Sequence, residues 1–252
     1  MYRSRNPALT DSTFEKSAYP NSPWWADQES NMMTMEGTTE KTGILLILLA
    51  TTAIATAMFM PYSGLLAILG AIAGFIIAMV IIFSGSMSPT LICTYAVFQG
   101  MFLGGITWLF EGYFPGIGIL AVVLTFGILG SMIAIYRAGI IQWNKNTQIA
   151  VTSAMLAILA IYITSFVGWI SGWFTVPYIH EASPVGIAFS VFVVGIASLC
   201  LVADFDFIER GVERGAPKQL EWRAAFGLMV TLIWLYLEIL ELLAKIAIYS
   251  RR

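Results

Sequence analysis

From residue 43 onward the chain repeats one pattern: a long, nearly unbroken apolar run followed by a short break carrying Pro, Gly, Ser or charge. Seven such runs occur, over residues 43–60, 64–83, 88–110, 117–136, 149–170, 185–203 and 224–249. About 20 apolar residues at about 1.5 Å each cross a hydrocarbon core of about 30 Å as a helix. Backbone in lipid must satisfy its own hydrogen bonds, and the short alternating segments of a transmembrane barrel are absent, so the runs predict helices. The expectation is an all-α integral membrane protein, a seven-transmembrane-helix bundle over residues 43–249. Residues 1–42 are polar, rich in Ser, Thr, Asn and Pro, and lack helical periodicity, which predicts a disordered N-terminal tail. No apolar stretch precedes residue 43, so the tail is expected to be retained, with Trp24 and Trp25 as isolated aromatics.

Two pairs of small residues, Gly70 with Gly74 and Gly100 with Gly104, are spaced to let helices approach closely. If the runs alternate across the membrane, one side holds Arg3, Arg5, Lys16 and Lys41 of the tail, Arg137 and Lys145 of the fourth break, and Arg210, Arg214, Lys218 and Arg223 of the sixth. The positive-inside rule makes that side, with the N-terminus, cytoplasmic. Lys245, Arg251 and Arg252 would then lie opposite. A re-entrant last segment would remove that conflict, so the side of the C-terminus stays open.

Composition agrees with the pattern: the chain is 58% hydrophobic and 11% charged, with a mean hydropathy of +0.81, and its first partner is the lipid bilayer. A formal net charge of −2 offers no basic stripe for nucleic acid. Cys93 and Cys200 lie in apolar runs as buried free thiols, and the single histidine, His180, lies in a polar loop, so no metal centre or cofactor is expected.

No charged residue occurs between residues 43 and 110, which leaves the first two runs and most of the third as scaffold, gate or lipid face. Glu111, beside Gly112, Tyr113 and Pro115, reads as part of an interfacial turn. Gln99, four residues after Tyr95, reads first as a hydrogen bond between helices and second as a lining of a path. The informative acids come late. An ionised carboxylate near the bilayer centre costs at least about 2.5–3.5 kcal/mol, so such groups mark ion or proton paths. Asp204 closes the sixth apolar run, while Asp206 precedes Arg210 by one turn and reads as half of a local ion pair. In the last run Trp234, Glu238, Glu241 and Lys245 fall on one helix face. Glu241 has Lys245 one turn away, whereas Glu238 has no basic residue within a turn and must find its partner elsewhere in the bundle or stay protonated. Asp204 is the best candidate, because two facing carboxylates share a proton and titrate as a unit, and hard oxygen ligands also suit calcium. The difficulty is depth: Glu238 lies about 14 residues, or about 20 Å, beyond residue 224, and Asp204 sits at a run's end.

These stretches resemble the Bax inhibitor-1 family. The matching residues are Ser88, Pro89, Leu91, Gly100, Leu103 and Gly104 in the third run, Ala203-Asp204-Phe205 followed by Gly215, and Leu235-Tyr236-Leu237-Glu238-Ile239 in the last. Arg5-Asn6-Pro7-Ala8-Leu9 and the segment from Trp222 to Leu228 look like a bacterial branch. The resemblance implies a seven-helix bundle with the last helix central, in a bacterial plasma membrane. It also implies a pH-dependent calcium leak governed by two carboxylates, which map onto Asp204 and Glu238. The residues themselves, apart from the resemblance, add Glu241, Asp206 and Gln99 as accessory candidates. In two respects the chain departs from the family pattern: the last-run acid, usually Asp, is Glu238, and the loop between the two acids is longer than typical.

The leading expectation is therefore a non-enzymatic cation leak for calcium. The alternative is a membrane-embedded regulator that binds other membrane proteins such as proteases, with the tail as contact surface. An intramembrane aspartyl protease is disfavoured, since no Gly-x-Gly-Asp occurs, and no Gly-x-Ser-x-Gly elbow occurs either. A proton-coupled transporter lacks the internal repeat common in such folds.

Overall fold

The structure, a computed structural model, describes residues 31–58, 62–172 and 179–251. Seven helices follow in order: α1 (Met35–Met58), α2 (Ser63–Ser84), α3 (Pro89–Tyr113), α4 (Ile117–Arg137), α5 (Lys145–Ser171), α6 (Pro184–Glu213) and α7 (Leu220–Ser250). All seven are long and apolar enough to cross a membrane, as the hydrophobic runs predict. The chain is a multi-pass, all-α membrane protein.

Two boundaries differ most from the sequence expectation, each for a physical reason. α1 begins at Met35, eight residues before residue 43, because polar residues of its first turns bond locally: the Thr38 and Thr42 hydroxyls donate to the Thr34 and Thr38 carbonyls at 2.9 and 2.8 Å. Residues 1–30 of the expected tail, with Trp24 and Trp25 and the residue 5–9 motif, lie outside the described residues. α6 runs ten residues past Ala203, since its charged end is held by the Asp206–Arg210 pair one turn apart. α7 is one unbroken helix from Leu220 to Ser250, which removes the re-entrant alternative.

Helix ends are closed by identifiable groups. Asn144, in extended backbone, accepts from Thr147 N at 2.9 Å and caps α5. Glu111 reaches past the end of α3 to accept from Gly116 N at 2.6 Å and Gly118 N at 2.9 Å, which fixes the tight α3–α4 turn. Gly116 itself has φ +88°, a conformation that side chains resist. Within the apolar spans the Thr94, Thr125, Thr164 and Ser198 hydroxyls each donate to the carbonyl one turn back, so they bring no unsatisfied polar group into lipid.

The chain divides into two compact units. The first holds the described residues up to Leu109 together with Asp204–Val230. In it α3 packs against α1 and α2 through small residues: a Cβ on Gly100 or Gly104 would strike Thr52 or the Ala53 backbone of α1. A Cβ on Gly70 would lie 2.5 Å from the Phe98 carbonyl oxygen of α3. The spacing of small residues in the sequence therefore marks true helix contacts, and Gly105, against Ser63 and Ala67, adds one the spacing rule did not single out. Tyr95 of α3 meets Phe226 of α7 edge to face at 4.9 Å.

The second unit comprises Phe110–Ala203 with Thr231–Arg252. Its core joins Val151 and Ile158 of α5 to Val193 and Ile196 of α6, with Tyr162, Phe189 and Trp234 packed around them. The last helix is the most buried span: 67% of its most apolar stretch is buried, against at most 44% in any other. The outward faces of α2 and α4 show Phe75, Phe83, Ile119 and Phe126, a surface that suits lipid tails and not water.

Candidate functional site

Glu238 lies in the second unit and is only 5% exposed. Helical spacing puts Trp234 one turn before it, and the Trp234 indole Nε1–H donates to Glu238 Oε1 at 3.0 Å. The phenol of Tyr162, from α5, lies 2.9 Å from Oε1 and 3.0 Å from Oε2. Both of these donors are uncharged. A phenol carries one hydrogen, so it fully serves one carboxylate oxygen at a time. Contact with the second oxygen becomes a full hydrogen bond only when the carboxyl holds a proton and donates it to the phenol oxygen. The seat thus fits the protonated acid as well as the carboxylate.

Continuing along the same face of α7, Glu241 Oε1 and Lys245 Nζ form an ion pair at 2.7 Å, as their spacing predicts. Lys245 is more than a local partner. It is 4% exposed, and its ammonium also donates to the Ile179 carbonyl and the Ser190 hydroxyl, both at 2.8 Å. His180 Nδ1 lies 4.0 Å from Glu241 Oε1, and the His180 ring is 6.3 Å from that of Tyr162. The burial of Lys245 removes it from the set of loop charges that set orientation. Arg251, beyond it, stacks on Phe114 with its guanidinium carbon 4.6 Å from the ring centre.

The first unit holds the other acids. Asp204, on α6, is 3% exposed. Asp206 pairs with Arg210 through its carboxylate, and Arg210 Nε donates to its carbonyl at 3.2 Å, the local role that its spacing predicts. Gln99 turns its amide nitrogen toward Gly74, and its buried Oε1 has no hydrogen-bond partner among the described residues. Asp204 belongs to the first unit and Glu238 to the second.

Glu221, in the first turn of α7, is 0% exposed and was not singled out as an acid by its sequence context. Its carboxylate pairs with Lys41 of α1 and accepts from Thr34 N at 2.8 Å and Thr34 Oγ1 at 3.0 Å. A Cβ on Gly37 would collide with that carboxylate, so the α1 backbone lies directly against it. The Lys41 ammonium is also 5.7 Å from the Trp222 ring. Residues 31–34 reach this point as a short strap: Met32 bridges Pro217, with Met33 N to the Ala216 carbonyl at 2.6 Å and Lys218 N to the Asn31 carbonyl at 2.8 Å.

Tyr162 and the Lys41–Glu221 pair are thus the polar contacts that the sequence concealed. Tyr162 stands among apolar neighbours with no local partner, and Lys41 and Glu221 are 180 residues apart. Among the described residues no group of three or more His, Cys, Asp and Glu is arranged to hold a metal ion.

Comparison with curated proteins and with solved structures found no match. A family model described as Bax inhibitor 1 like matches residues 6–248, which include all seven helices up to the last turn of α7 and both Asp204 and Glu238. The chain therefore belongs to the Bax inhibitor 1 like family.

Proposed function

We infer that this protein is a pH-sensitive cation leak, with calcium as the favoured ion, in which the buried carboxyls of Asp204 and Glu238 carry the protons that bias a closed against an open bundle. The observation that carries the reading is the Glu238 seat: a 5%-exposed acid on the most buried span, held by the Tyr162 phenol and the Trp234 indole. Neutral donors leave such an acid free to hold or release a proton, whereas a cation would fix it as a carboxylate. Asp204, 3% exposed on a membrane-length helix, has the burial expected of a second such group. Family membership supports the same reading. The role is transport and not catalysis, in a bacterial plasma membrane with the N-terminal side cytoplasmic, an orientation supported by the Lys and Arg of the α4–α5 and α6–α7 breaks.

The test is calcium release from liposomes holding the purified protein, followed across about pH 5–8. The expected result is a pH-dependent flux that flattens in Glu238→Gln and in Asp204→Asn. A flux identical to wild type in both variants, or none from wild type at any pH, sinks the reading.

A further inference from the structure

The Lys245 ammonium sits as an ion would sit. Its three donors meet three oxygens of different origin: the Ile179 carbonyl in the α5–α6 connection, the Ser190 hydroxyl of α6 and the Glu241 carboxylate one turn before it on α7. A carbonyl, a hydroxyl and a carboxylate at 2.7–2.8 Å are hard oxygen ligands of the kind that coordinate alkali and alkaline-earth cations. The group that fills them is 4% exposed, whereas the Glu241 carboxylate beside it is more than a third exposed, so one ligand faces outward while the ammonium does not. Lys245 also lies seven residues, about 10 Å along the axis, from Glu238 on the same face of α7.

We propose that these oxygens form a cation site that the protein fills with its own ammonium. Lys245 is a tethered cation that lies on the Glu238 face of α7 and excludes small inorganic cations from these oxygens. This assignment rests on the cation-leak reading for its role, but not for its chemistry: the oxygen site exists whether or not ions pass. A salt bridge serving only to tie the connection to α7 would need a donor for Glu241. It would not need one ammonium shared among a main-chain carbonyl, a neighbouring helix and its own helix.

Removing the side chain tests the assignment, because Lys245→Ala leaves the three oxygens without their cation. In detergent, calcium or potassium chloride should raise the Tm of Lys245→Ala by about 5 °C over choline chloride at equal ionic strength, as expected for a ligand that binds only the folded state. Wild type should show no such difference, and Lys245→Ala/Glu241→Gln should lose most of it. The potassium and calcium arms separate a monovalent from a divalent preference. In liposomes, Lys245→Ala should release the preferred cation at least several-fold faster than wild type at the same pH.

A Tm of Lys245→Ala that is indifferent to all three salts overturns the cation site. A wild type without flux at any pH, combined with a calcium or potassium response in Lys245→Ala, instead removes the leak reading and leaves the site standing. Should Lys245→Ala fail to fold, Lys245→Gln keeps donors for Ile179 and Ser190 while deleting the charge. Flux raised at least about three-fold in that variant supports the tethered cation, and unchanged flux overturns it.

Discussion

Two buried glutamates on one helix are treated in opposite ways. Glu221, at the start of α7 in the first unit, meets the Lys41 ammonium together with two donors from Thr34. Glu238, in the second unit, meets a phenol and an indole. The first is a charge neutralised by a charge, with the α1 backbone at Gly37 directly against it. The second is surrounded by groups that tolerate either state. The contrast teaches that burial alone does not mark a functional acid in a membrane bundle; the charge of its donors separates an anchor from a switch.

The largest effect should come from breaking the charged seat. Lys41→Met leaves Glu221 buried without its cation and should cost about 3–5 kcal/mol, read as a loss of Tm in detergent. Adding Glu221→Leu removes the stranded acid as well and should recover most of that loss; a double variant as unstable as the single one would show that the pair is not the cause. Gly37→Ala should destabilise by about 1–3 kcal/mol through overpacking against the Glu221 carboxylate, with no effect on how flux depends on pH. Tyr162→Phe takes one neutral donor from Glu238 and should cost only about 1 kcal/mol of stability while moving the midpoint of the flux–pH profile. An unmoved midpoint would detach Tyr162 from the switch. Trp234→Phe should be smallest, at about 0.5–1 kcal/mol with a lesser displacement in the same profile, since the Tyr162 phenol still lies within hydrogen-bond reach of the carboxyl.

Much of this was legible in the sequence because lipid imposes a simple rule. Apolar runs of spanning length become helices, and small residues four apart become contacts, as Gly100 and Gly104 against α1 show. Local pairs were equally readable: Asp206 with Arg210 and Glu241 with Lys245 follow from helical spacing, whereas the Trp234 donor to Glu238 was not foreseen although the two share a face. Helix ends were misplaced where polar residues continue a helix, since hydropathy registers the loss of apolar character while the backbone continues wherever side chains such as Thr38, Thr42 and Arg210 find bonds. Long-range partners left no trace. Nothing around Tyr162 points to Glu238 across 76 residues, and Lys41 lies in a stretch that reads as a polar tail. Lys245 was read as the local partner of Glu241, because the Ile179 and Ser190 oxygens come to it only when α5, α6 and α7 pack.

The measurement that bears most directly on the comparison is the carbonyl-stretch signal of protonated carboxyls in infrared difference spectra recorded across pH. The expected result is a band that grows on acidification and loses intensity in Glu238→Gln. A band whose growth with acid is unchanged in Glu238→Gln would contradict it.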